Sequence, residues 1–517
     1  MKRLRRHLPF LAPAVVASLL VSGSYLVAYE YPALTAGLFN DMATQLAANG
    51  YALPRTISGY TADGLPFTYP PLAFYLLAAV RDLFGVGPLA ASRLLPQVYA
   101  VCYLVPFYLL AYELLDSRRQ AAVAAFVGAT SPEVFKWHLS SGGVVRAGAY
   151  AVALAGLYVG VRLFREKRRH LALAGAVLFG LTLLSHVRYA LFFGASYVFF
   201  WAALDRSRRG FLLGASVAGG GLLVAAPWLA TVVSRFGVEP FVHASGTHGG
   251  VASLPAAAAR LLLVVPPRTE LLSLWHVLFL LGAVLLVARR EWVLPAWYAA
   301  LALVTHKAQF LFVVVALVCA RVLVADLLPL VRRNLAFDLS DRADRGLSLA
   351  LVGLLLTYSL GAGAMFAADY PVSQYQNVFG TNNKMPSHLG DADVAAMEWI
   401  RDETRPDATF VSVGERTAEW LPLLSDRTLL VGYWGVEWEG ASEWQRQKDR
   451  YFSLNACPNA TCLSATLADA GVRPDYLYLH TEGQPAGKAQ SVRASEEFAV
   501  VFANEGVLVA AYRPESA

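Results

Sequence analysis

Apolar stretches recur along residues 8–367 and then stop. They lie at about 8–28, 91–114, 120–135, 145–164, 171–185, 187–204, 211–233, 274–288, 292–305, 308–328 and 347–367. A hydrocarbon core of ~30 Å takes about 20 residues of helix. The pattern therefore predicts a polytopic α-helical membrane protein with about eleven transmembrane helices, several of them short. Between the stretches sit short basic clusters: Lys2-Arg3-Arg5-Arg6, Arg118-Arg119, Arg165-Lys167-Arg168-Arg169, Arg206-Arg208-Arg209, Arg289-Arg290, and Arg332-Arg333 with Arg342 and Arg345. Lys and Arg in short loops are retained on the cytoplasmic side. That rule places the N-terminus inside and the C-terminus outside, as an integral plasma-membrane protein.

Two segments test the scheme. Residues 70–85 are apolar enough for a twelfth span, but are short and carry Arg81-Asp82. Counting them would invert every later basic cluster, so an interfacial helix on the outer leaflet is expected. The first apolar run resembles a secretory signal but lacks a clear small-residue cleavage site. It reads as a retained first span.

Near residue 368 polar residues return at ordinary density. The pattern predicts a helix over 391–401, with Asp391 or Asp393 as cap and an apolar stripe of Val394, Met397, Trp399 and Ile400. Strands are expected at 409–413, 428–431 and 476–479, and a terminal hairpin over 498–502 and 507–512. The organisation is thus 1–367, a multi-span domain whose first outer loop covers 29–90, and 368–517, an extracytoplasmic α/β domain.

Composition agrees. The chain is 56% hydrophobic and 15% charged, where soluble domains carry about a quarter charged residues. Its net +6 lies in the orienting clusters and is not a nucleic-acid signal. Of four cysteines, Cys102 and Cys319 fall in apolar spans and are expected to be buried packing residues. Cys457 and Cys462, in Cys-Pro-Asn-Ala-Thr-Cys, are expected to close a small disulfide loop outside. Asn459-Ala-Thr461 fits a glycosylation triplet, a pattern that chance often supplies.

The candidate chemistry collects on the outer side. Asp41 and Asp63 lie in the first outer loop, which also holds Tyr69-Pro70-Pro71-Leu72. Glu133, Lys136, His138 and Arg146 flank the second loop, and His186 and Arg188 mark the third. His243, His248 and Arg268 fall in the fourth, His276 follows it, and His306 and Lys307 mark the fifth. Ionisable groups at such depth are costly and are functional candidates. A carboxylate there can act as a general base toward a hydroxyl or amine. Arg and Lys can hold a phosphate, Arg through two parallel hydrogen bonds. Sugar transfer from a polyprenyl phosphate needs this pair of functions. No nucleotide-binding Gly-rich loop is apparent. A divalent cation (Mg or Mn) shared by Asp41, Glu133 and His138 stays open, although hard ions usually take more oxygen ligands.

The layout resembles the GT-C superfamily of membrane glycosyltransferases, which includes protein O-mannosyltransferases, lipid A aminoarabinose transferases and oligosaccharyltransferases. The matching features are Asn40-Asp41 after the first span, Tyr69-Pro-Pro-Leu72 before an amphipathic helix, Leu83-Phe-Gly85, and Ser92-Arg93 opening the second span. The resemblance implies that Asp41 is catalytic. It also implies a polyprenyl-phosphate-linked sugar donor, membrane lipids around it, and a glycan, lipid or protein acceptor. The chain departs from the family in having Asn40 and Met42 rather than a second acid beside Asp41, and Tyr69 where some members carry Lys. The expected activity is an inverting glycosyl transfer on the extracytoplasmic face. Tyr69, Lys136, His138, Arg146, His186, Arg188, His243, His248, Arg268, His306 and Lys307 are the substrate- or phosphate-binding candidates. Two other classes compete. A transporter would need polar or broken helices at mid-depth, and these spans are mostly clean there. A non-catalytic receptor with an outer binding domain would leave the outer set unexplained.

Overall fold

The computed structural model describes residues 6–140, 142–242, 273–305, 307–334, 341–370, 384–414 and 416–513. They group into two compact units. One comprises the described residues within 1–29, 93–227 and 251–385, the other those within 30–92, 228–250 and 386–517.

Every expected apolar stretch is helical. Among the described residues, seven helices are long and apolar enough to cross a membrane: Leu8–Ala28, Pro88–Leu115, Gly143–Glu166, Val187–Leu204, Arg208–Phe236, Ala308–Leu330 and Ala350–Ala367. Arg169–Ser185, Leu274–Ala288 and Val293–Val304 are shorter apolar helices. The stretch expected at 120–135 is divided between Arg118–Thr130 and Pro132–Leu139. Within the first unit, small residues let helices approach closely, as they do where lipid supplies no hydrophobic drive. Gly156 and Gly160, one turn apart, receive the rings of Phe193 and Tyr197 from Val187–Leu204. The Tyr197 hydroxyl donates to the Gly156 carbonyl at 2.9 Å. Cys319 is buried, its Sγ 3.2 Å from the Trp275 carbonyl oxygen. Cys102 departs from expectation: it is exposed, because its position turns away from the helices packed in this unit.

The second unit carries the sheets. The hairpin-like pair β1 (Thr56–Ile57) and β2 (Leu65–Pro66) is antiparallel. The larger sheet consists of β3 (Thr409–Val413), β4 (Thr428–Val431), β5 (Tyr476–His480), β6 (Phe498–Ala503) and β7 (Val507–Tyr512), in the order β4-β3-β5-β7-β6. β3 pairs parallel with β4 and β5, and β7 pairs antiparallel with β5 and β6. Alternation along the strands builds two cores. Val411, Val413, Leu477 and Leu479 pack on one face with Tyr451 and Leu463, and Phe410, Tyr478, Val507 and Val509 on the other with Met397 and Ile400. All five expected strands are present, as is the helix Asp391–Glu403, where Asp393 reaches back to the Gly390 N–H at 3.1 Å. Cys457 and Cys462 form a disulfide. Asn459 caps the helix that follows, accepting the Cys462 N–H at 2.9 Å.

Residues 30–92 pack with the C-terminal segment in this unit. The Leu34 N–H donates to the Ser387 carbonyl at 3.0 Å, Leu389 N–H to Pro32 at 3.1 Å, and Leu429 N–H to Gly59 at 2.9 Å. Residues 70–85 contribute the helix Leu72–Phe84, 13 residues and hence ~20 Å long, too short for the bilayer core. It buries Phe74 and Leu77 and leaves Leu83 and Phe84 exposed.

Candidate active site

Asp41 sits in the second turn of the helix Ala36–Ala48. The chain enters that helix through Thr35, whose φ of 71° is left-handed. Gly37 follows because a Cβ there would lie 2.7 Å from the Glu419 carbonyl oxygen. The carboxylate of Glu419, itself fully buried, accepts the Thr35 N–H at 3.1 Å and the Leu38 N–H at 3.2 Å. These are amides that a helix start leaves without intrahelical partners. Asn40 donates to the Ala36 carbonyl at 2.8 Å and to the Ser92 hydroxyl.

The Asp41 side chain is 7% exposed. Its Oδ2 accepts from Gln45 Nε2 at 3.0 Å. Gln45 is in turn fixed by the Ser58 backbone, donating to its carbonyl at 3.2 Å and accepting its N–H at 3.0 Å. Among the described residues, Asp41 Oδ1 accepts no hydrogen bond. Burial pushes the carboxyl up to about 7. The Gln45 hydrogen bond opposes that shift, the charge of Asp426 adds to it, and Arg81 opposes it. Arg81 is held by Thr44 Oγ1 at 2.8 Å and the Asn40 carbonyl at 3.3 Å. A carboxyl poised near neutrality, with one oxygen oriented by Gln45, has the proton affinity that suits a general base. Tyr69 packs by its ring against Phe39, Phe74 and Trp438, with centroids 5.2, 5.6 and 5.5 Å away.

The first unit gathers the other candidates. On the short helix Pro132–Leu139, His138 is fully buried. Its Nε2 lies 2.7 Å from the Tyr189 hydroxyl, and its ring stacks on Tyr150 at 4.5 Å. Tyr150 donates to the Gln309 carbonyl at 3.2 Å. Buried Glu133 places Oε1 3.6 Å from His276 Nδ1, which accepts the Ser273 N–H at 3.2 Å. Lys136 and Arg146 lie over the Trp137 ring at 5.2 and 5.7 Å. His186 caps Val187–Leu204, accepting the Arg188 N–H at 3.3 Å, with its ring 5.1 Å from that of Tyr189. Lys307 precedes the helix Ala308–Val322, whose Phe310 meets Tyr189 at 4.8 Å. The starts of four helices and one short helix thus bring Glu133, Lys136, His138, Arg146, His186, Arg188, His276 and Lys307 to one end of this unit. His243, His248, Arg268 and His306 lie outside the described residues.

No family model matches the sequence, and no curated protein matches it. Solved structures do match. The archaeal oligosaccharyltransferase AglB from Archaeoglobus fulgidus, in complex with an inhibitory peptide and a dolichol-phosphate, aligns over 92% of this chain and 70% of its own, at 14% identity and a TM-score of 0.56. ArnT from Cupriavidus metallidurans aligns over 99% and 98%, at 15% identity and a TM-score of 0.53. The mycobacterial arabinofuranosyltransferase AftD aligns over 98% of this chain and 42% of its own, at 16% identity and 0.51. The fold is the GT-C fold. At these identities the likeness concerns the fold.

In this GT-C fold the matched motifs have visible structural duties. Asn40 ties the Asp41 helix to Ser92. Arg93 donates to the carbonyls of Leu26 and Tyr29, at 2.9 and 2.7 Å, at the end of the first apolar helix. Sequence reasoning missed Gln45, Ser58, Arg81 and Glu419. Gln45 stands one turn from Asp41, a spacing that signals contact; Glu419 gives no local signal. Among the described residues, no group of three His, Cys, Asp or Glu side chains gathers as a metal site would. Glu133 and His138 share a helix but face different partners, His276 and Tyr189.

Proposed function

We propose that this protein transfers a sugar from a polyprenyl-phosphate-linked donor to an acceptor on the extracytoplasmic face of the membrane, with inversion at the anomeric carbon. The observation that carries this reading is Asp41, a buried carboxyl pushed up to about 7 and oriented by Gln45 within a GT-C fold. Asp41 takes the proton from the acceptor hydroxyl or amine as its lone pair attacks the anomeric carbon. The anomeric C–O bond to phosphate breaks with its electron pair, leaving the lipid phosphate. Arg146, Arg188 and Lys307 are the cations proposed to hold that phosphate. The dolichol-phosphate named in the AglB structure supports a lipid phosphate as donor carrier. The C-terminal α/β domain is proposed to lie outside and to help select the acceptor.

The test uses the purified chain in polyprenyl-lipid vesicles with candidate donors labelled in the sugar. Label should pass from lipid phosphate to acceptor with the anomeric configuration reversed. Transfer from a nucleotide sugar in place of the lipid, or retention of configuration, would overturn the reading. Arg146→Ala should weaken polyprenyl-phosphate binding ~10-fold or more, the scale of one lost charged hydrogen bond; unchanged binding would remove Arg146 from its role.

A further inference from the structure

We infer that Glu419 is a positioning residue for the reaction, a charged cap supplied from the far end of the chain that fixes the helix carrying Asp41. The inference rests on the proposed role of Asp41 as base.

Four observations converge within the second unit. Glu419 is fully buried, and a carboxylate is not buried without partners that repay its desolvation. Its two oxygens accept from Thr35 and Leu38, so it occupies the place that a local Ser, Asp or Asn side chain normally fills. Thr35 is the N-cap by position, yet its own side chain makes no capping hydrogen bond. The negative charge also meets the positive end of the helix dipole. Around it the attachment is rigid. The Trp420 indole N–H donates to the Ala33 carbonyl at 3.3 Å, and Tyr60 donates to the Glu419 carbonyl at 3.2 Å. Gly37 allows the two backbones to meet where any side chain would collide with them.

The consequence is geometric. Leu38, whose N–H Glu419 holds, lies three residues before Asp41, so the cap fixes the turn from which the carboxylate projects. A base acts only within hydrogen-bond reach of its proton, and a displacement of ~1 Å can cost ~100-fold in rate. Glu419 touches neither substrate nor the reacting atoms in this account. It acts through the helix.

Glu419→Gln tests this in the full-length protein. Gln keeps the shape, but it replaces one accepting oxygen with an N–H group that opposes the helix amides. The rate constant kcat per folded molecule should fall ~10–100-fold, KM for donor and acceptor should stay within about twofold, and amide exchange at Thr35 and Leu38 should rise. Glu419→Asp, which keeps the charge, should recover part of the loss. Wild-type kcat in a folded Glu419→Gln protein would overturn the inference. So would a loss seen only as less folded protein, with normal activity per folded molecule. Asp41→Asn measured in parallel separates the two readings. If it transfers normally the base assignment fails, whereas if it is dead while Glu419→Gln is normal the positioning role alone fails.

Discussion

Asp41 carries an energetic cost that its proposed role as base explains. An unfolded aspartate loses its proton near pH 4, whereas folded Asp41 keeps it up to about 7. Between these values the folded state binds more protons. The stabilising contribution of protonated Asp41 is therefore complete below pH ~4 and is lost as pH rises through 7. Asp41→Asn removes that loss and keeps an acceptor for Gln45, so at pH 8 it should stabilise the fold by about 1–4 kcal/mol, read by thermal unfolding. A lower melting temperature would contradict the burial argument. Asp41 was legible in the sequence because it follows an apolar span in a motif. Its poise was not, since that depends first on burial, and to a lesser degree on Gln45 and on Asp426, far along the chain. Burial of a carboxyl is set by tertiary packing.

At the scale of elements, the sequence was most legible where one rule acts alone. The terminal strands are short apolar runs broken by Asn504-Glu505-Gly506, and the hairpin β6–β7 forms there. The helix Ala36–Ala48 is different, because its start is completed by Glu419 from another element, and no local pattern announces a remote cap. Gly37→Ala drives a methyl against backbone that has no room to yield, and should destabilise by about 1–3 kcal/mol. Gly156→Ala meets the Phe193 ring within van der Waals distance and should cost a similar amount. Gly23, with nothing within 4 Å, is the control, and its alanine variant should melt within about 0.5 kcal/mol of wild type. Thermal melts of the three in one detergent decide the point; equal melting of all three would refute the close packing.

For the whole molecule, the contacts inside the second unit constrain topology. Residues 30–92 and 386–517 pack together, so an even number of crossings separates them. The expected spans between residues 91 and 367 meet that parity, and the helix Leu72–Phe84 does not count among them. Hydropathy made the apolar helices legible. The joining of the first loop to the C-terminal segment was not, because nothing periodic links distant stretches of chain. If this unit lies outside, Cys462 should resist an impermeant thiol reagent on intact cells until the Cys457–Cys462 bond is reduced, then react from outside. Reaction only after lysis would reverse the proposed orientation.

The most direct test of the central claim is kcat for sugar transfer between pH 5.5 and 8.5, measured for wild type and Asp41→Asn at equal amounts of folded protein. Wild type should rise with a midpoint near 7, and Asp41→Asn should be slower by ~100-fold or more, with no such rise. Transfer by Asp41→Asn at the wild-type rate would contradict the account.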